Sequence, residues 1–121
     1  MTPTQRTLAH FREEGMVCHI VERWNPHTRQ RADYLGFIDI IGLTGEGIYG
    51  IQSCGQAFSA HYRKITEECR ENAELWLTAG GRIVLCGWRK VKVKRGGKRM
   101  TWKPRVIHIT LEDLKNANQT Q

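Results

Sequence analysis

Asp39 and Gln52 are two polar side chains set in otherwise apolar runs. Phe37, Ile38, Ile40, Ile41 and Leu43 surround the first; Ile48, Tyr49 and Ile51 lead to the second. A carboxylate among such neighbours is costly unless it is paired or binds a metal. Metal binding is therefore the chemistry to which Asp39 points. The plain alternative is an Asp that caps a turn or takes backbone amides, which needs an exposed end that this run lacks. For Gln52 the alternative is a buried amide satisfied by the backbone.

The two runs must be strands for these residues to meet. Between them lies Thr44-Gly45-Glu46-Gly47, whose glycines can supply the positive φ of a tight hairpin turn. Each run is nearly all apolar, so both faces of the hairpin are expected to be covered. Upstream, residues 4–14 are predicted as a helix capped by Thr4 and stopped by Gly15. Residues 16–24 follow as a strand of imperfect alternation, and 25–32 as a polar loop. Downstream, Ser59 is the expected cap of a helix over 60–79, with Tyr62, Ile65, Cys69, Ala73, Trp76 and Leu77 facing the sheet. Residues 82–93 read as a strand, 95–98 as a turn and 105–109 as the returning strand. Thr110 and Asp113 form a capping box for a short last helix, and residues 116–121 should fray. This order implies an α/β fold: a single domain with a central mixed β-sheet flanked by helices.

Length and composition agree with that. The chain has 121 residues, 40% hydrophobic and 26% charged, as in an ordinary globular domain. No apolar run approaches the ~18 residues of a membrane span, and the first residues lack a signal pattern, so a cytoplasmic protein with no membrane partner is expected. Cys18, Cys54, Cys69 and Cys86 are too far apart for a zinc motif and read as reduced, mostly buried thiols. Cys54 stands out because it ends the hairpin.

The net charge is +7, and it is unevenly placed. Arg89, Lys90, Lys92, Lys94, Arg95, Lys98, Arg99, Lys103 and Arg105 fall in one stretch without an acid. A surplus of this kind favours a polyanion, nucleic acid above all. The alternation Val91-Lys92-Val93-Lys94 sets lysines along one face, where they can track a phosphate backbone. The plain alternative is an edge strand guarded by lysines against aggregation. Arg31 and Arg63 are further candidate phosphate contacts. Trp24, Trp88 and Trp102 are candidate stacking platforms, whereas Trp76, at helical spacing with Ile65 and Leu77, reads as core. His61, beside Lys64 on the predicted helix, is placed to line a cleft.

The succession of helix, strand, Asp-bearing hairpin, helix and strand resembles the core of the PD-(D/E)XK nuclease superfamily, above all its small Holliday junction resolvase-like members. The likeness covers about residues 4–90. It implies a restriction-endonuclease-like core (α-β-β-β-α-β) over about 4–93, extended by a basic hairpin at 88–109 and a short helix and tail at 110–121. It also implies metal-dependent cleavage of DNA, branched DNA included, with Mg²⁺ or Mn²⁺ as cofactor and a symmetric homodimer as the acting form. Asp39 matches the motif's Asp. Gln52-Ser53-Cys54 stands where Glu-x-Lys is expected, so Gln52 offers a metal only a carbonyl oxygen and Cys54 cannot replace a lysine. In some members the lysine migrates to the following helix, where Lys64 stands here. The helix-one glutamate position falls near Gln5, and Asp33 and Glu22 are placed to supply the missing charge. On this resemblance Asp39, Gln52 and Lys64 are the catalytic candidates, and Asp39, Gln52 and Asp33 the metal ligands. The competing expectation is a nuclease-like module that has lost catalysis and binds DNA or RNA or serves assembly. A weaker third is a basic docking surface for an acidic protein.

Overall fold

The apolar hairpin forms the middle of the sheet because its residues have apolar neighbours on both faces. A computed structural model describes residues 1–119, the last two by backbone alone. Seven strands form: β1 (Val17–Ile20), β2 (Arg23–Asn25), β3 (Gln30–Ala32), β4 (Ile40–Thr44), β5 (Gly47–Cys54), β6 (Arg82–Lys92) and β7 (Met100–Ile109). Five of them make one mixed sheet in the order β1-β4-β5-β6-β7, parallel only between β5 and β6. β2 and β3 form a separate two-stranded ribbon. The helices are α1 (Pro3–Glu13), α2 (Phe58–Arg63), α3 (Arg70–Thr78) and α4 (Leu111–Gln119), with a π-helical turn, Lys64–Glu68, between α2 and α3. Among the described residues the chain is thus a single α/β domain with a mixed five-stranded sheet and four α-helices. None of the described helices is long and apolar enough to cross a membrane.

The sheet separates two apolar clusters. On one face Leu8 and Phe11 of α1 pack on Ile40, Tyr49, Ile51, Val84, Cys86 and Trp88. On the other, Ile65 and Ala73 pack with Ile38, Cys54, Ile83, Leu85 and Ile109, with Leu114 of α4 at the end. Burying each large aliphatic side chain in such a cluster stabilises by about 1.5–3 kcal/mol. The stripe expected on the second helix, Tyr62 to Leu77, packs against this second cluster throughout. Trp76 belongs to it as expected, half-buried over Gly81, where a Cβ would collide with its ring. Its indole donates to the Arg82 carbonyl at 2.8 Å.

Several boundaries differ from expectation for local reasons. The first helix starts one residue earlier because Thr2, not Thr4, caps it, in a reciprocal box with Gln5. The second begins at Phe58 with no side-chain cap, so Ser59 does not cap it. The strand expected over 16–24 breaks at Val21 and Glu22, and the polar segment 25–32 is no plain loop but supplies β3 of the ribbon. Phe37 and Ile38 are buried in a turn rather than a strand, because Leu35 and Gly36 take positive φ of 57° and 87°. The β4–β5 turn is made with neither of its glycines at positive φ. β7 begins five residues before the expected start, and its Pro104 is tolerated because β7 is an edge strand. Of the expected Thr110–Asp113 box only one half forms: the Thr110 amide donates to Asp113 Oδ2 at 2.8 Å, and the Thr110 hydroxyl donates to the same oxygen at 3.1 Å. Residues 116–119, expected to fray, are helical, and residues 120 and 121 of that tail lie outside the described residues.

Candidate functional site

Asp39 sits at the doorstep of β4 with its backbone already paired on both sides. Its amide donates to the Ile51 carbonyl at 2.9 Å, and its carbonyl accepts from Val21 at 2.8 Å. Strand alternation then sends Ile40 to the α1 face and Asp39 to the opposite one, where Gln52 also points. Asp39 is 3% exposed. Its Oδ2 accepts from Gln52 Nε2 at 2.7 Å and from the Ser53 amide at 2.9 Å. The backbone-amide alternative is therefore partly realised at one oxygen, yet Gln52 is adjacent rather than remote. Burial and a shared hydrogen bond with the Asp33 carboxyl push the Asp39 acid up to about 8.

Three acids converge here. One oxygen each of Glu22, Asp33 and Asp39 lies within 4.8 Å of the others. They come from the two ends of the ribbon and the start of β4, segments joined by the Tyr34–Ile38 bridge and the turn it closes. Lys64 opens the π-helical turn, whose Cys69 amide reaches back to the Lys64 carbonyl at 2.8 Å. Its ammonium is 3.4 Å from Asp33 Oδ2. Such π turns are frequent at functional sites, where they re-aim a side chain. Glu22 and Asp33 open on a groove of about 620 Å³. Asp39 and Gln52 thus meet, Asp33 joins them, and Lys64 reaches the group through Asp33.

Two polar atoms of the site are buried without a partner, Gln52 Oε1 and Ser53 Oγ. A buried amide oxygen with no donor is an exception that calls for a ligand or solvent. His61 Nδ1 is likewise unpartnered, and desolvation and the Lys64 charge push this imidazole down, against a smaller pull from Asp33. Cys54 holds the motif's lysine position as a thiol pushed up to about 11 by burial, and by Cys86 and Asp39. It is no cation and no ready nucleophile. All four cysteines are unbonded, three of them buried. Gln5, at the place of the helix-one glutamate, spends its side chain on the Thr2 amide.

The basic hairpin exists, with β6 and β7 paired from Ile83–Ile109 out to Lys92–Met100. Its register splits the cations between two faces. Cys54, Gly87 and Arg105 are cross-strand neighbours, and Arg105 lies 4.1 Å over the Phe58 ring. Arg89 and Lys103 continue that face, the one that carries Gln52. Lys90 and Lys92 alternate to the α1 face together with Trp102, whose ring lies 4.3 Å under the Arg6 guanidinium. The single lysine row therefore lies behind the acid site. Lys94, Arg95, Lys98 and Arg99 are exposed around the hairpin tip. Trp88 is no stacking platform: it is 8% exposed and its indole donates to Thr7 Oγ1 at 2.9 Å. A residue followed by Arg-Lys reads as surface, but here the α1 helix covers it. Trp24 and Trp102 are exposed, as are Arg31 and Arg63. The Arg31–Glu22 ion pair, at 2.7 Å, was invisible in a segment read as a loop.

No protein-family model matches this chain, and no match to a curated protein or to a solved structure was found.

Proposed function

We propose that the chain is a divalent-metal-dependent phosphodiesterase acting on nucleic acid, an endonuclease on DNA built on a restriction-endonuclease-like core. The observation that supports this best is the meeting of Glu22, Asp33 and Asp39, from separate segments, with Gln52 and Lys64. The donor set suits Mg²⁺ or Mn²⁺, which prefer oxygen ligands. Ligand oxygens around Mg²⁺, with bonds of ~2.1 Å, lie roughly 3–4 Å apart, so carboxylates already within 4.8 Å need only small rotations. Gln52 Oε1, buried and unpartnered, is the fourth donor. Glu22 and Asp33 bring the charge that Gln52 lacks.

A divalent ion held there supplies Lewis-acid stabilisation of the charge developing on a phosphodiester. Lys64, positioned by Asp33, presents an ammonium that orients the attacking water or a phosphate oxygen. Gln52 and the Ser53 amide fix the Asp39 carboxylate so that it does not rotate away. Arg89, Lys103 and Arg105 flank the same sheet face and grip the backbone without reading sequence.

A second reading, a nuclease-like binding module without catalysis, is favoured by Gln52 and Cys54 at the Glu and Lys positions. One assay separates them. The protein and Asp39→Asn are incubated with plasmid, single-stranded and four-way-junction DNA in Mg²⁺ and then Mn²⁺. Cutting that is lost in the variant supports the enzyme; binding without cutting in either metal supports the module.

A further inference from the structure

The ribbon that emerges from the acid site is itself basic. From Arg23 to Ala32 it carries Arg23, His27, Arg29 and Arg31 and no acid. Every residue of its two strands is exposed. It is bracketed by Glu22 at one end and Asp33 at the other, two of the three converging acids. Arg31 crosses back to Glu22, Nη1 to Oε1 at 2.7 Å. The Arg31 side chain is 72% exposed, that of Glu22 only 18%. Trp24 is the register partner of Arg31 and is 58% exposed, so an indole and a guanidinium stand side by side in water.

We propose that this ribbon is a nucleic-acid-sensing arm in which Arg31 occupies Glu22 until a phosphate takes the guanidinium, releasing Glu22 to the metal site. The inference rests on the metal-site reading above, which Gln52 Oε1, buried and unpartnered beside Asp39, supports independently of the acids. A guanidinium and a divalent cation compete for the same Glu22 carboxylate. A solvent-exposed ion pair is weak, whereas a phosphate offers Arg a bidentate, charge-assisted partner. Trp24 adds a face on which a base can stack. Because the two equilibria share Glu22, nucleic acid tightens metal binding and metal tightens nucleic-acid binding by the same factor.

The test is Mn²⁺ calorimetry on the full chain, Arg31→Ala and Glu22→Gln, each alone and with a short phosphorothioate duplex, the duplex alone serving as blank. Anisotropy of the labelled duplex in EDTA completes it. Arg31→Ala is expected to bind Mn²⁺ about three- to tenfold more tightly than the unaltered chain without DNA. The duplex should tighten Mn²⁺ binding by the unaltered chain and add little for Arg31→Ala. Glu22→Gln, with Arg31 freed, should bind the duplex about threefold more tightly in EDTA. An unchanged Mn²⁺ affinity in Arg31→Ala, or a DNA-induced gain as large as in the unaltered chain, overturns the proposal. Absence of Mn²⁺ uptake by the unaltered chain overturns the metal-site reading itself, so the two failures are distinct. Thermal melts of both variants check that the fold is retained.

Discussion

The acid site and the basic hairpin are both built of charges, and they are organised in opposite ways. At the site, Asp39 is buried, its backbone is fixed by two strand hydrogen bonds, and its side chain is held by Gln52 and Ser53. On the hairpin, the cations are exposed, split between two faces and held by little beyond strand register. Burial converts charge into geometry, which chemistry requires. Exposure leaves charge as a field, which suffices for affinity and salt dependence. The two regions should therefore fail differently when altered.

The widest separation is expected in activity. Asp39→Asn should lower cleavage by at least about a thousandfold, the equivalent of several kcal/mol of lost Lewis-acid stabilisation, while leaving the affinity for DNA in EDTA nearly intact. Gel assays and anisotropy read the two quantities, and a variant that still cuts would break the contrast. Next comes stability. Trp88→Ala removes a buried indole and should cost about 3–5 kcal/mol, whereas Trp102→Ala on the exposed part of the hairpin should cost under about 1 kcal/mol. Urea melts compare them.

The third is a pH effect confined to the buried region. The Asp39 acid is raised to about 8 in the fold from an ordinary 3.8. Between those values the folded chain keeps a proton that the unfolded chain has lost, so metal-free stability falls as pH rises through this window and levels off above it. Asp39→Asn, neutral throughout, should flatten the slope in melts run in EDTA; an equally steep slope in the variant would assign it elsewhere. The smallest effects belong to the hairpin. Arg89→Ala with Arg105→Ala, on the site's face, should weaken DNA binding about tenfold and lower the salt slope by about two. Lys90→Ala with Lys92→Ala, on the α1 face, should change it by less than about threefold and leave cleavage of bound DNA untouched. Equal losses from both pairs would mean that the hairpin's faces are not distinguished.

The same contrast decides what was readable from residues alone. Asp39 and Gln52 could be picked out because a polar side chain inside an apolar run is a local anomaly, whereas Lys64 was reached only through the family resemblance and Asp33 and Glu22 only through their closeness in sequence to the cleft. The central hairpin is two apolar runs about a short polar turn and the sheet-facing stripe of the second helix is periodic, and both patterns survive in sequence. The ribbon was hidden because its strands are three residues each and exposed throughout, too short to show an alternation. Trp88 was misread because its neighbours, Arg89 and Lys90, are exposed, and only the docking of α1 reveals that its indole meets Thr7. The division of Lys90 and Lys92 from Arg89, Lys103 and Arg105 follows from cross-strand register, which no single strand encodes. The π turn that opens at Lys64 interrupts what looks like continuous helical spacing.

Calorimetric titration of Mn²⁺ into the chain at neutral pH, in buffers of different ionisation enthalpy, tests the central claim most directly. The expected result is one ion bound per chain with release of a proton from the raised Asp39 acid, and loss of both in Asp39→Asn. Absence of binding heat at millimolar Mn²⁺, or identical binding by the variant, would contradict the account.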